Sequence, residues 1–306
     1  MTTERSSLPP SARPVLRGLL DLRPSTGIQP TMAAADDAVA QGLAVAKVYA
    51  FASADYPGAA ESLVFDSDGT TVVGGFTVDP GSNTPATAFS FTGGVYEILT
   101  VPSSTLSIAT GINASGLIVG AFQDLGGVLR GFAKTGGTFS NIDFPGAGGT
   151  EPIGVNDAGH VVGLYLDAAN AEHGFASSGG AFTPIDFPGA TSTAAAGINA
   201  AGDVVGVWSD ATGSHGFLLR AGVFTPIDFP LATSTSAFGI NDTGEIAGFY
   251  RDAAGNTHGF IYTGGSFSTV DVAGARSTQL TRIKNGGEVT GVYIDALNGA
   301  HGLTGQ

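Results

Sequence analysis

The 306-residue chain has no cysteine, which excludes disulfides, thiolate nucleophiles and zinc–thiolate sites and leaves the redox compartment undetermined. Basic residues are scarce. Twelve lysines and arginines face 26 aspartates and glutamates, and the formal charge of −14 repels phosphate backbones and anionic membranes over most of the surface. Neither nucleic acid nor a membrane is therefore an expected partner. No apolar run is long enough to span a bilayer. The opening MTTERSSLPPSARPVLRGLLDLRPSTGIQP also lacks the uninterrupted apolar stretch of a secretory signal, so the literal reading is cytoplasmic. Charged residues make up only 12% of the chain and hydrophobic ones 42%, enough for a sizeable core in a soluble globular protein.

What the chain has in excess is glycine: 48 residues without a collagen period, about double average usage, which indicates many tight turns. The glycines recur in register. Aligned on one element, the chain reads GINASG at Gly111, GVNDAG at Gly154, GINAAG at Gly197, GINDTG at Gly239 and RIKNGG at Arg282, at spacings of 43, 43, 42 and 43 residues. A more divergent copy, VFDSDG, aligns at Val64, 47 residues earlier. A fixed period of this length marks a propeller blade or a solenoid turn. Each unit divides into four short segments rich in valine, isoleucine, threonine and phenylalanine, such as TAAAGIN, DVVGVWSD, HGFLLRAG and VFTPIDFP, separated by turn residues. Four strands of about six residues with turns of about four fill such a period.

The chain ends identify the architecture. After HGLTGQ the last unit lacks its fourth segment, whereas FASADYPGAAES at Phe51 aligns with FTPIDFPGATST at Phe182. Five complete units and one divided between the termini predict an all-β, six-bladed β-propeller of four-stranded blades. An N-terminal strand joins the C-terminal blade and removes its exposed edge; a β-solenoid would have no reason to divide a repeat. The expected domain is 46–306. Residues 1–45 read as a leader, partly helical or disordered, with arginines at 5, 13, 17 and 23. Its candidate helices are RPVLRGLLDL and TMAAADDAVAQGLAVA, the second capped by Thr31 with Asp36 and Asp37 in its early turns.

Residues from about 48 to 306 resemble the HAF family of bacterial tandem repeats, named for a His-Ala-Phe signature. The resemblance rests on His173-Gly174-Phe175, His215-Gly216-Phe217, His258-Gly259-Phe260 and His301-Gly302-Leu303, with the IDFPGA and GIN elements; glycine replaces the signature alanine, and Arg130 and Thr87 hold the histidine position in two earlier copies. The resemblance implies a β-propeller-like repeat and an extracellular location, and it carries no established activity.

Polar residues repeat with the period. Asp79, Asp124, Asp167, Asp210, Asp252 and Asp295 end the second segments, and His173, His215, His258 and His301 follow across a turn. One histidine per blade lies in a different sector of the ring, so the four cannot meet at one ion. A catalytic site also needs distinct roles in one place. No metal or cofactor is expected, and these pairs read as hairpin ties. The aspartates of IDFP, Asp143, Asp186 and Asp228, with Asp55 and Asp271 in variant copies, receive the same reading. Asn113, Asn156, Asn199 and Asn241 open Asn-x-x-Gly turns. Phosphate-loop, nucleophile-elbow and His-Glu-x-x-His patterns are absent.

Positions where the repeats disagree are the candidates for function. Arg282 and Lys284 replace glycine and asparagine on an inner strand, where they pair with acidic groups near the closure or hold an anion at the channel mouth. Arg130, Trp208, Glu151, Glu172 and Arg276 are the other non-repeated candidates, and Glu151 and Arg276 are expected in inter-blade loops. The leading expectation is a monomeric, non-catalytic binding or interaction scaffold whose protein, glycan or small-molecule partner sits on the loop face or central channel. The alternative is a hydrolase, lyase or isomerase with a site of non-repeated residues at the channel mouth.

Overall fold

The computed structural model describes residues 49–78 and 87–306, and every regular element among them is a β-strand. The helices expected within residues 1–45, and Asp79, lie outside this range.

The strands form antiparallel blades of four. Blade 4 runs from the ring axis outward through Ser192–Ile198, Val204–Ser209, Ser214–Arg220 and Val223–Ile227. The inner strands of the others are Glu61–Ser67 in blade 1, Ser104–Ile112 in blade 2, Gly149–Val155 in blade 3, Ser234–Ile240 in blade 5 and Ser277–Ile283 in blade 6. A single parallel bridge between Thr257 and Ser277 merges blades 5 and 6 into one eight-stranded sheet. Blade 6 continues through Val289–Ile294 and Ala300–Gly305, and its fourth strand is Phe51–Ser53, with Phe51 opposite Gly305 and Ser53 opposite Leu303. The ring therefore closes as a six-bladed propeller by the divided repeat.

The repeated motifs are packing devices. The third residue of each HGF element, or its equivalent, is Phe89, Phe132, Phe175, Phe217, Phe260 or Leu303, and each is fully buried between blades. Burying one phenylalanine contributes about 1.5–3 kcal/mol. Each phenylalanine ring lies against a glycine of the neighbouring second strand: a Cβ on Gly206 would come within 2.7 Å of Phe217, and one on Gly163 within 2.8 Å of Phe175. This contact is why valine pairs are followed by glycine in the second strands.

One register expectation is corrected. Every inner strand has a bulge, and in blade 1 it falls between Val64 and Asp66, as it falls between Leu280 and Arg282 in blade 6. Strand pairing thus places Asp66, not Val64, at the position of the GIN glycine and of Arg282. Asp68 takes the asparagine position, its Oδ1 accepting the N–H groups of Thr70 and Thr71. Its turn closes from Asp68 N–H to the Thr71 carbonyl, whereas the asparagine turn of blade 2 closes from Asn113 to Leu117, one residue longer. The bulge and the shorter turn together conceal the equivalence.

Candidate functional site

Inner strands converge on the propeller axis, and glycine at the GIN position lets them do so. A Cβ on Gly154, Gly197 or Gly239 would lie 2.5–2.6 Å from backbone atoms of the next blade. The two blades flanking the closure carry Arg282 and Asp66 there instead. The Arg282 side chain extends into the space left by the glycines and uses all five of its N–H donors. Nε faces Asp66 Oδ2 at 3.4 Å; Nη1 donates to the Phe238 and Thr281 carbonyls at 3.1 and 2.8 Å; Nη2 donates to the Thr110 carbonyl at 3.3 Å and to that of Ile153. Those acceptors belong to blades 1, 5, 6, 2 and 3, so one guanidinium ties five blades and plugs the channel. Burial pulls its pKa below the ordinary arginine value, and the Asp66 carboxylate opposes that shift.

Around the plug runs a chain of side-chain amides. Asn113 Nδ2 donates to the Asn156 carbonyl at 2.9 Å, Asn156 to Asn199 at 3.0 Å, Asn199 to Asn241 at 3.3 Å and Asn241 to Lys284 at 3.1 Å. At the closure the amide relay gives way to an ion pair, Lys284 Nζ to Asp66 Oδ1 at 3.3 Å. Asp66 Oδ2 also accepts the Ile112 N–H at 3.1 Å. The depression above this ring, lined by Asn156, Asp157, Asn199, Asn241, Asp242 and Lys284, has a volume of about 100 Å³. A site for a drug-sized ligand occupies about 300 Å³ or more.

The second assembly lies on the opposite face, at the hairpins between second and third strands. In blade 3, Asp167 Oδ1 accepts the N–H groups of Ala169 and Ala171 at 2.7 and 2.8 Å, which shapes the hairpin and holds the carboxyl below its usual pKa. Its Oδ2 lies 3.6 Å from His173 Nε2, while His173 Nδ1 lies 3.0 Å from Asp186 of the IDFP element. The histidine is thus bracketed by two carboxylates. The same bracket holds His215 between Asp210 and Asp228, His258 between Asp252 and Asp271, and His301 between Asp295 and Asp55. In blade 2 Arg130 substitutes for histidine, 3.1 Å from Asp124 and 3.6 Å from Asp143. The sequence paired each histidine with the nearer aspartate only. The partner at shorter distance is the IDFP one, thirteen residues away in His173, His215 and His258.

An aromatic ring backs each histidine. Tyr165, Trp208, Tyr250 and Tyr293 stack on His173, His215, His258 and His301 at centroid distances of 5.1, 4.5, 5.2 and 4.9 Å. The first three are faced on the other side by Phe144, Phe187 and Phe229 of the preceding IDFP element, at 3.7, 4.1 and 3.6 Å. Trp208 is therefore a member of the repeated stack, and its Nε1 is buried without a hydrogen-bond partner among the described residues.

The other non-repeated candidates are dispersed. Glu151 is corrected from a loop to the inner strand of blade 3, where it is 3% exposed and buried. Arg130 and Glu172 lie on third strands. Arg276 does occupy a loop, immediately before blade 6, and donates to Asn298 Oδ1 at 2.8 Å. The structure brings together Arg282 and Lys284, through Asp66, a residue that no repeated motif marks.

No protein-family model and no curated protein matches the chain. Solved structures match it in fold. AofleA from Arthrobotrys oligospora is 12% identical, with 82% of this chain and 85% of that one covered and a TM-score of 0.52. The β-propeller domain of the Trilobed protease from Pyrococcus furiosus, of open velcro topology, is 10% identical, with 81% and 94% covered and a TM-score of 0.51. TolB from Acinetobacter baumannii is 11% identical, with 80% and 63% covered and a TM-score of 0.54. The fold is shared; at these identities the likeness extends no further.

Proposed function

We propose that the chain is a non-catalytic β-propeller scaffold that binds a protein, glycan or small-molecule ligand on a loop face rather than in its central channel. The observation that carries this reading is the expenditure of the channel's polar groups on one another. Arg282 has no donor left, Lys284 pairs with Asp66, and the inner asparagines bond from blade to blade. Catalysis needs groups poised toward a substrate in a concave site, whereas these groups satisfy the protein itself.

The favoured face is the one that carries the histidine brackets. Its hairpin and inter-blade loops expose Leu125, Leu231 and Leu297 at 76%, 82% and 88%, departures from the repeat that lie largely open to solvent. On this reading the HAF-like elements supply a uniform platform, and the irregular loop residues give it specificity. The test is a pair of glycan and peptide arrays read with wild type and with a Leu125→Ser, Leu231→Ser, Leu297→Ser variant. Binding that the variant loses at unchanged melting temperature supports the proposal. Turnover of a hydrolase, lyase or isomerase substrate that disappears on substituting Lys284 would replace it with the enzymatic reading.

A further inference from the structure

The histidine brackets differ in how they are built into the chain. In blades 3, 4 and 5 the histidine and both of its carboxylates follow one another within one repeat. In blade 6 the second carboxylate arrives from the opposite end of the chain. His301 Nδ1 lies 2.8 Å from Asp55 Oδ2, and its Nε2 lies 3.4 Å from Asp295 Oδ2. The other oxygen of Asp55 accepts the Gly302 N–H at 3.0 Å. Asp55 comes two residues after Phe51–Ser53, a strand of three residues and the shortest among the described residues.

The protonation state of His301 decides how strongly this strand is tied. A neutral imidazole has one N–H, so it donates to one carboxylate and turns a lone pair toward the other; an imidazolium donates to both. Among the described residues the surroundings add no competing cation. Tyr293 stacks on the ring, Ser53 Oγ donates to Asp55, and the Tyr96 hydroxyl donates to the Asp55 backbone carbonyl at 2.7 Å. Blade 1's inner strand, packed against the C-terminal strand, contributes Glu61 at its start and, at the channel, Asp66, which is already engaged by Arg282 and Lys284.

We propose that ring closure is a protonation-dependent latch, in which the His301 imidazolium ties the N-terminal strand to the C-terminal blade and its deprotonation loosens that strand. Partial burial draws the His301 pKa down, but hydrogen bonding and charge from Asp55 and then Asp295 outweigh it, and the net direction is up. A raised histidine pKa gives stability that is complete below the unfolded value of about 6.5 and is lost as pH rises through the folded value. Because the strand is short and lies at the edge of its sheet, its release is a local opening that leaves the remaining blades paired.

Amide hydrogen exchange on the whole protein between about pH 6 and pH 9, corrected for intrinsic exchange, tests the latch. Protection at residues 51–54 and 302–306 is expected to fall several-fold over this range, while the outer strand of blade 3, Ala181–Ile185, stays level. His301→Gln and Asp55→Asn should each flatten the response at its high-pH level, and His173→Gln should leave the response at the closing strand intact. A closing strand whose protection ignores pH, or falls only in step with every other blade, overturns the proposal. So does retention of the response in His301→Gln. The wild-type profile decides the matter even if a variant fails to fold.

Discussion

Arg282 concentrates more of the architecture in one side chain than any repeated residue does. A buried guanidinium is costly unless every donor is used and a counter-charge is close, and here the carbonyls of inner strands and Asp66 meet that condition. Replacing it with an apolar residue leaves those carbonyls unpaired and Asp66, 2% exposed, with Lys284 as its remaining cation. Arg282→Met is therefore expected to cost about 3–5 kcal/mol, read as a lower urea midpoint. Asp66→Asn in the same background should cost less than it does alone, because the charge it removes has already lost its main partner. Additive losses would show that the two side chains act independently. Glycine at the same position in blades 2–5 leaves the room that the arginine fills, so the repeat and its single exception form one design.

At the level of the element, blades are fastened to their neighbours by the loop that follows an outer strand. Five of these loops send a backbone N–H to a hydroxyl on the next inner strand: Phe144 to Thr150, Phe187 to Thr193, Phe229 to Thr235, Val272 to Thr278 and Tyr56 to Ser62, all at 2.9–3.0 Å. In three of them the same residue, Phe144, Phe187 or Phe229, stacks on the next blade's tyrosine or tryptophan, and in a fourth Tyr56 stacks on Phe76. Thr193 is 2% exposed, so no water replaces its hydroxyl readily. Thr193→Val keeps the shape and orphans the Phe187 N–H; the expected loss is about 1–3 kcal/mol, measured by thermal or urea unfolding. A neutral result would place the inter-blade stability in the aromatic stack alone. The threonines of the ATST and ARST segments look like ordinary strand formers, and their role depends on where the preceding loop ends.

For the whole molecule, the decisive event is the pairing of Phe51–Ser53 with Ala300–Gly305. Without its closing strand, the C-terminal strand Ala300–Gly305 presents an unpaired edge, a template for another chain. A chain lacking residues 1–54 is expected to form strand-exchanged or higher assemblies, visible by light scattering after size exclusion. A monodisperse monomer of unchanged melting temperature would show that the edge needs no cover. At the same seam the ring exchanges neutral amides for charge, with Arg282 and Lys284 on one side and Asp66 on the other. Opposite charges at the first and last blades distinguish the correct junction from the chemically similar junctions between interior blades.

The period, the four-strand unit, the blade number and the divided repeat were all legible along the chain, because turn glycines, β-branched runs and the displaced FASADYPG segment are local signals that repeat. Tertiary structure alone decided the rest. Arg282 meets carbonyls 129 and 172 residues away, Asp55 meets His301 across 246, and a bulge moves Asp66 into the position that linear alignment assigned to Val64. The physical reason is that spacing along a chain reports which residues share a strand face, whereas a ring closed on itself brings together side chains whose separation in sequence carries no signal of their contact.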